Sequence, residues 1–437
     1  MRMVVHTARL AGALALACLA APLAAQRAPM PKEPRGFDFT PDGAWRKLAR
    51  NVRQNRRAAL ARGDIQFLNA PSTAAALTGD FKLPVVMVDF SDTLATSFEL
   101  DTAAYRKLFF SPDPSVEGRP YSLKSYYEQV SRNHITIDGN VFGWVHTAFT
   151  KAFVGQNCHG VGVGTTCTSS VSTHFGAWLT AALDSLNSAA HQVDWSQYDL
   201  DHDGFVDFVT FIHPTIGGEC GVANGATPAD IWAHRWSLSS VRGSSYVTKS
   251  AWPGHAGQFI RINDYIIQSA RGGNGGCTTG SMMPVGTVAH ETGHAFGIPD
   301  LYNTDQGRSS EGVGEWSLMG SGNYTVPRSP AAWDAWSLLT LGWISVDTLT
   351  TSRTVTLNPI QTSDTALIAP ITGTDQYLLL ENRAFLLSDT AQMGTTLGTT
   401  GEGGQRKSPG LLVWHIDQSI VDGGTSFNTV NAGPVEG

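Results

Sequence analysis

The stretch that decides the fold class of this chain is HETGHAFGIPDLY, residues 290–302. Residues four positions apart lie on one face of an α-helix, so the imidazoles of His290 and His294 can reach the same metal ion. Two such histidines with a glutamate after the first are typical of a zinc site whose acidic residue takes a proton from water. Glu291 has that position. The pattern therefore predicts a catalytic zinc site on a helix.

The flanking residues predict where this helix begins and ends. Pro284 suits a first helical position, so we expect the helix to begin near Val285. Gly297 can adopt the left-handed conformation that ends a helix, and the chain can then return Asp300 to the metal as a third ligand. Three protein ligands leave one position open, as catalytic zinc requires. Glu315 is the alternative third ligand, at a spacing at which other zinc peptidases supply a glutamate.

Composition limits the class of protein. The chain has 437 residues, of which 42% are hydrophobic and 15% charged, with a net charge of −7. The length suits one large catalytic domain with an additional part, or two domains. A nucleic-acid-binding protein would carry a basic face, so the low and negative charge argues against that class.

The N-terminal part predicts export. Residues 1–25 combine early arginines, an apolar alanine-rich run and small residues before Gln26, which is typical of a signal peptide. Residues 26–78 contain a basic helical stretch and are interpreted as a pro-segment of a zymogen, with a solvated surface helix as the alternative. No later stretch is long and apolar enough to span a bilayer. We therefore expect a secreted protein that passes the periplasm in transit.

Four cysteines remain after removal of the signal peptide: Cys158, Cys167, Cys220 and Cys277. In an oxidising compartment four cysteines indicate two disulfides, for which three pairings exist. We favour the pairs Cys158–Cys167, which closes a short loop, and Cys220–Cys277. A structural zinc site is the alternative, but the sequence lacks a close Cys-x-x-Cys pair.

An acidic segment predicts a second metal site. Residues 199–207, DLDHDGFVD, repeat the first nine positions of a calcium loop, with glycine at the position of the sharp turn. The expected calcium ligands are the side chains of Asp199, Asp201, Asp203 and Asp207 and the carbonyl of Phe205. A strand is predicted from Phe205 to Ile212, so the segment is not a full EF-hand. A turn of solvated aspartates is the alternative, although four carboxylates this close repel one another without a cation.

The distribution of apolar residues predicts an α+β fold. A catalytic region over residues 79–345 opens with a buried strand at Lys82–Phe90 and an amphipathic helix at Ser122–Val130. Residues Ile135–Val145 are predicted as strands joined by a turn at Asp138–Asn140. Residues 346–437 are β-rich, as a small domain or an extension of the catalytic one, and end without a closing element, as in a truncated chain.

With these residues in hand, the chain resembles the immune inhibitor A-like family of secreted zinc metallopeptidases, within the metzincin clan. The family pattern His-Glu-x-x-His-x-x-Gly-x-x-Asp matches at residues 290–300, and Met319 matches the later Met-turn. The resemblance covers roughly residues 80–420. It implies a metzincin-like zinc protease domain, with a twisted mixed sheet above the cleft and the active-site helix and Met-turn below it.

The resemblance implies a zinc-dependent endopeptidase that hydrolyses peptide bonds of proteins with activated water, Glu291 being the general base. The expected partners are protein or peptide substrates, and the expected cofactors are one catalytic zinc and a structural calcium. Two alternatives stay open. One is a zinc hydrolase of a non-protein amide or ester, which substrate profiling would distinguish. The other is an inactive, calcium-stabilised binding or adhesion protein, against which the intact Glu291 argues.

Overall fold

The computed structural model describes eight ranges of the chain, together with Cys277 and part of residues 51–63. The ranges are 76–95, 101–112, 120–160, 171–272, 282–304, 311–393, 407–425 and 428–432. The predicted signal peptide, most of the predicted pro-segment and Cys167 lie outside them. In the part of the chain that is described, no helix is long and apolar enough to cross a membrane.

Strands and helices are interspersed along the chain. The strands are β1 (Gly79–Val88), β2 (Ile135–Val145), β3 (Val209–Ile216), β4 (His234–Ser237), β5 (Tyr246–Ala251), β6 (Phe259–Ile262), β7 (Asp264–Arg271), β8 (Ser345–Thr348), β9 (Thr365–Pro370), β10 (Gln376–Arg383) and β11 (Gly410–Asp417). The helices are α1 (Thr102–Phe110), α2 (Leu123–Val130), α3 (Lys151–Gly155), α4 (Val171–Leu186), α5 (Leu238–Arg242), α6 (Val285–Ala295), α7 (Asn323–Thr325), α8 (Ala335–Thr340) and α9 (Gln418–Gly424). Short 3₁₀ turns cover Trp195–Tyr198, Gly218–Cys220, Val222–Asn224, Gly314–Trp316 and Leu387–Gln392, and a π turn covers Leu318–Gly322. The fold is therefore mixed α+β.

Within the described ranges, the strands form three sheets. The first has the order β2-β1-β3-β7-β4, in which β4 runs antiparallel to β7 at the edge and the other pairs are parallel. The second, near the C-terminus, has the order β11-β10-β9-β8, with only β8 and β9 parallel. Strands β5 and β6 form a two-stranded antiparallel ribbon.

Both faces of the first sheet are covered. Val85 and Met87 of β1 belong to one hydrophobic core, whereas Val86 and Val88 belong to a second core on the other face. Successive side chains of a strand point to opposite faces, so a strand buried on both sides is continuously apolar. The Val-rich run predicted as a buried strand is confirmed by this arrangement.

The predicted turn within residues 135–145 is wrong. The whole range is one strand, β2, which pairs in parallel with β1. The misleading signal is Gly139, because a Cβ built there would lie 1.9 Å from the carbonyl oxygen of Leu83. Glycine at this position allows the close approach of a neighbouring backbone, which in a strand is a common reason for glycine.

Helix α2 holds helix α6 in place. Ser122 caps α2, as its side chain accepts a hydrogen bond from the backbone N–H of Ser125. The buried hydroxyl of Tyr127 donates to the carbonyl of Ala289 in α6 at 2.7 Å. The hydroxyl of Tyr126 donates to the carbonyl of Ala331 at 2.6 Å. The predicted amphipathic helix is confirmed. Its buried aromatic residues, Tyr126 and Tyr127, hold the main chain in and near α6.

The C-terminal sheet shares a core with α6. Ile368 of β9 and Leu379 of β10 belong to the same hydrophobic core as Val288 and Phe296, at the two ends of α6. Ala59, from the predicted pro-segment, is fully buried in that core as well. The second sheet therefore packs as part of the body that surrounds α6.

Candidate metal centre

Helix α6 presents two histidines to one point. It begins at Val285 and its C-terminal turn passes into Gly297, whose φ is +73°, so both predicted ends are confirmed. The Nδ1 of His290 lies 2.9 Å from the carbonyl of Leu318, and the Nδ1 of His294 lies 2.8 Å from the carbonyl of Ile298. Each Nδ1–H is thus directed at a carbonyl, which leaves Nε2 as the metal-binding nitrogen.

The structure brings Asp300 to the two histidines. Its Oδ1 lies 2.9 Å from Nε2 of His290 and 3.5 Å from Nε2 of His294. Ligand atoms about 2.0–2.1 Å from a tetrahedral zinc lie about 3.3–3.4 Å apart, so these separations suit a shared zinc ion. The two imidazoles and the carboxylate are also a donor set that zinc prefers. Each of the three side chains is almost fully buried.

The electrostatics of these three buried side chains favour a positive charge at the point where they meet. Nε2 of His290 and Oδ1 of Asp300 are buried and face each other at 2.9 Å, and the described residues offer these two atoms no further hydrogen-bond partner. Burial lowers the pKa of His290, but the neighbouring Asp300 outweighs it and raises that pKa above its usual value. Burial opposes ionisation of Asp300, yet the imidazoles of His294 and His290 hold its pKa well below the usual range. A divalent cation bound at this point would supply positive charge next to the Asp300 carboxylate.

Glu291 lies beside this group. The side chain of Glu291 is buried, and this burial raises its pKa. The imidazoles of His290 and His294 oppose the rise, whereas the charge of Asp300 adds to it. A carboxyl group with a raised pKa next to a metal is suited to accept a proton and return it.

Met319 packs beneath α6. A Cβ built at Gly293 would lie 2.5 Å from the sulfur of Met319, so a larger residue there would have to displace this side chain. The carbonyl of Met319 accepts a hydrogen bond from the N–H of Leu301 at 2.8 Å. Ser317, which caps the π turn, donates to Asp334 at 2.6 Å. The turn that carries Met319 therefore supports both the helix and the segment after Asp300.

Glu315, the alternative ligand, is directed to another partner. Among the described residues, the group whose ligand atoms lie within 4.8 Å of one another at this centre consists of His290, His294 and Asp300. Glu315 forms an ion pair with Lys407 at 3.6 Å, and the same ammonium group donates to the Glu315 carbonyl at 2.8 Å.

With this geometry known, comparison with known proteins places the chain in a family. The profile of the immune inhibitor A peptidase M6 catalytic domain matches residues 80–337, more than half of the chain. The chain belongs to this family. The resemblance predicted from the motif of residues 290–300 is confirmed, and the matched range contains the three candidate ligands, Glu291 and Met319.

Two relatives in the peptidase M6 family illustrate the extent of the similarity. The pre-pro-metalloprotease PrtV of Vibrio cholerae is 30% identical over 237 residues, which are 49% of this chain and 23% of that protein. Immune inhibitor A of Bacillus thuringiensis subsp. alesti is 26% identical over 278 residues, or 58% of this chain and 38% of that protein. The chain thus spans well under half the length of these relatives.

The acidic loop of this M6 domain gathers three carboxylates. Ligand oxygens of Asp199, Asp201 and Asp203 lie within 4.8 Å of one another. The Asp199 carboxylate accepts the N–H groups of Asp203 and Gly204, at 3.0 and 2.9 Å. Burial raises the pKa of Asp199, the N–H of Gly204 opposes the rise, and the charges of Asp203 and Asp201 add to it. The loop therefore concentrates negative charge at one point.

The remaining predicted calcium ligands lie beside this group. Asp207 is outside the three-carboxylate group, and its Oδ2 accepts the N–H of Leu200 at 3.3 Å. Phe205 forms an isolated bridge with Arg261, and β3 begins at Val209. The predicted strand start at Phe205 is wrong, because the backbone of residues 204–207 forms its hydrogen bonds with Arg261 and Tyr198.

The cysteines within the described residues are disulfide-bonded. Cys220 and Cys277 form a disulfide that joins the turn after β3 to the segment after β7. Cys158 is disulfide-bonded, and its predicted partner Cys167 lies outside the described residues.

Two polar residues near the metal centre escaped prediction. Asn428 binds Asp300 through two hydrogen bonds of 2.7 Å, from a position beyond the matched range 80–337. The second residue, Glu219, accepts the N–H of Ala233 at 3.0 Å. Burial raises the pKa of Glu219 to about 7. The hydrogen bond from Ala233 opposes this rise, and the charge of Glu291 adds to it. No local pattern signals either residue, since both reach the site through distant parts of the chain.

Proposed function

We propose that the chain is a secreted zinc-dependent endopeptidase that cleaves peptide bonds of proteins or peptides. The observation that carries the proposal is the convergence of His290, His294 and Asp300, with Glu291 on the helix that bears the two histidines. Membership in the peptidase M6 family supports the same activity. Asp300 is the proposed third ligand, because the ion pair with Lys407 directs Glu315 elsewhere.

The proposed mechanism assigns one task to each group. A zinc ion bound by the three ligands would lower the pKa of water toward about 7 and polarise the scissile carbonyl. Glu291 accepts a proton from the attacking water and passes it to the leaving amine. The carbonyls of Leu318 and Ile298 hold the two imidazoles in the tautomer that exposes Nε2.

We further propose a metzincin-type arrangement, in which Met319 is the methionine of the Met-turn beneath the site. Its support is the contact between Gly293 and the Met319 sulfur, together with the mixed sheet that ends in the antiparallel edge strand β4. We propose that the catalytic domain spans residues 79–345. The β-rich region 346–437 would be an extension of it, since the second sheet shares the core around α6.

Export and activation are part of the proposal. Residues 1–25 would be removed as a signal peptide, and residues 26–78 would act as a pro-segment. The Cys220–Cys277 disulfide and the disulfide-bonded Cys158 fit an oxidising environment. Burial of Ala59 in the main core supports a pro-segment that packs on the catalytic domain.

Metal analysis combined with proteolysis tests the central proposal. We expect one zinc per chain after purification, and casein cleavage that a zinc chelator abolishes and added zinc restores. The reason is that chelation removes the ion that activates water at Glu291. Cleavage that persists after complete removal of zinc would contradict the proposal, as would a zinc-free preparation with full activity. Cleavage of small amides or esters alone would favour the non-protein hydrolase.

We also propose that the loop of residues 199–207 binds a structural calcium ion. The three gathered carboxylates, together with Asp207 and the Phe205 carbonyl, offer the hard oxygen ligands that calcium prefers. With zinc held constant, calcium at about 100 times its dissociation constant should stabilise the fold by about 2.7 kcal/mol. We expect this as a rise in the thermal unfolding midpoint, and Asp201→Asn should reduce the rise by weakening calcium binding.

The control for this prediction is Asp194→Asn. Asp194 caps the neighbouring 3₁₀ turn, where asparagine caps equally well, and it lies outside the carboxylate group. This variant should keep the full response to calcium. An unfolding midpoint that does not respond to millimolar calcium would exclude the calcium site.

A further inference from the structure

The third candidate ligand is held by a residue from the C-terminal end of the described chain. The side-chain N–H of Asn428 donates to Oδ2 of Asp300 at 2.7 Å. The side-chain oxygen of the same residue accepts the backbone N–H of Asp300 at 2.7 Å. One amide group thus contacts both the main chain and the carboxylate of Asp300, which fixes the rotation of the side chain.

The two carboxylate oxygens of Asp300 have different partners. Oδ2 of Asp300 is occupied by Asn428, while Oδ1 faces Nε2 of His290 and of His294. The carboxylate therefore presents one oxygen to the point where the histidines converge. The histidines are oriented by carbonyls of residues near α6, whereas the orienting group of Asp300 comes from a distant segment.

The conformation and hydrogen bonds of the segment around Asn428 stabilise this contact. Asn428 is 3% exposed and has a φ of +56°, a left-handed conformation that asparagine tolerates better than most residues. Its carbonyl accepts the hydroxyl of Thr304 at 2.7 Å. Asn431 donates to the carbonyl of Leu301 at 2.7 Å. The segment after α9 thus lies along residues 300–304 and binds them at several points.

We infer that Asn428 is a positioning residue for the zinc ligand Asp300, an inference that rests on the proposed function. The zinc-binding unit then extends past the matched catalytic domain of residues 80–337 to the segment at residues 428–431. Groups that orient metal ligands typically change metal affinity by about 10–100-fold when they are removed. Asn428 acts through Asp300 and touches neither the substrate nor the reacting atoms.

The test compares Asn428→Gly with Asn431→Gly in the full-length chain. Glycine tolerates the left-handed backbone of residue 428, so the first variant removes the side chain without adding strain. The second removes a hydrogen bond from the same segment but leaves the Asp300 carboxylate untouched. We expect Asn428→Gly to bind zinc about 10–100-fold more weakly than the parent chain and Asn431→Gly to bind it within about threefold. Zinc affinity is measured by competition with a fluorescent zinc chelator.

A double-mutant cycle identifies the route of the effect. In an Asp300→Ala background, Asn428→Gly should have no further effect on zinc affinity, because its partner is gone. Asn428→Asp is the second variant, since it keeps the size and the left-handed backbone but removes the amide donor to Oδ2. It should also weaken zinc binding. The unfolding midpoints of the metal-free variants report whether each chain folds.

The outcomes separate this inference from the proposed function. A parent chain that binds no zinc would overturn both. A parent chain that binds zinc, with Asn428→Gly and Asn428→Asp binding equally well, would overturn the role of Asn428 alone. Equal losses in Asn428→Gly and Asn431→Gly would show that the segment acts only by packing, and would overturn the positioning role as well.

Discussion

Glu291→Gln should reduce casein cleavage by about 10²–10⁴-fold while the protein keeps its zinc, because general acid–base catalysis contributes about that much. Glutamine has the shape of glutamate but cannot accept the proton of the attacking water. Burial already disfavours the charged form of Glu291, so a neutral amide should not lower the unfolding midpoint. The measurements are the cleavage rate, the zinc content and thermal unfolding of the same preparation.

The matched control is Glu128→Gln on α2. Glu128 accepts the hydroxyl of Thr136, a bond that the oxygen of glutamine can also accept, and it lies outside the candidate metal centre. This variant should cleave casein at the rate of the parent chain. Normal cleavage by Glu291→Gln would contradict the proposed mechanism, and loss of zinc from that variant would assign Glu291 a role in metal binding.

Arg383→Met should destabilise the protein by about 3–5 kcal/mol, because it leaves buried carboxylates without their cation. Arg383 lies 2.9 Å from Asp389 and 3.1 Å from Glu381, and all three side chains are buried. Its guanidinium also donates to the carbonyl of Trp316, just before the turn of Met319, at 2.7 Å. Urea unfolding should show the loss as a lower midpoint with an unchanged slope.

Arg353→Met provides the matched control for this prediction. Arg353 pairs with Asp347 at the surface, where an ion pair contributes about 0–1 kcal/mol. Burial raises the pKa of Glu381 to about 7 although Arg383 opposes the rise, so the charged form of Glu381 is disfavoured at this site. Adding Glu381→Gln to Arg383→Met should therefore recover part of the lost stability. Equal unfolding midpoints for Arg383→Met and Arg353→Met would contradict the proposed role of the buried ion pairs.

Local patterns predicted the elements that depend on neighbours in sequence. Pro284 and Gly297 mark the two ends of α6, because capping and left-handed turns are properties of a few consecutive residues. The family was likewise predictable from residues 290–300. The same kind of reasoning failed at Gly139, where the glycine meets the Leu83 carbonyl of a neighbouring strand rather than forming a turn. A glycine in a sequence does not reveal which of these reasons applies.

The choice between Asp300 and Glu315 could not be made from spacing. Both residues follow the helix at sequence separations that suit a third metal ligand. Only the side chains that contact each of them distinguish the two. Lys407 pairs with Glu315, whereas Asn428 orients Asp300 toward the histidines. Both partners come from the part of the chain after residue 400, far from α6 in sequence.

The sequence by itself determined the helix with its two histidines and the acidic residue between them, because these follow from helical periodicity within thirteen residues. It also indicated the family, through the resemblance of residues 290–300 to the family pattern. Only the tertiary structure decided how the carboxylate of Asp300 is oriented and which cation pairs with Glu315. It also decided how Arg383 joins the second sheet to the turn that carries Met319. Those contacts join residues about 70–130 positions apart. Hydrogen bonds and buried ion pairs over such separations depend on how the elements pack, and this packing cannot be predicted from short-range sequence patterns.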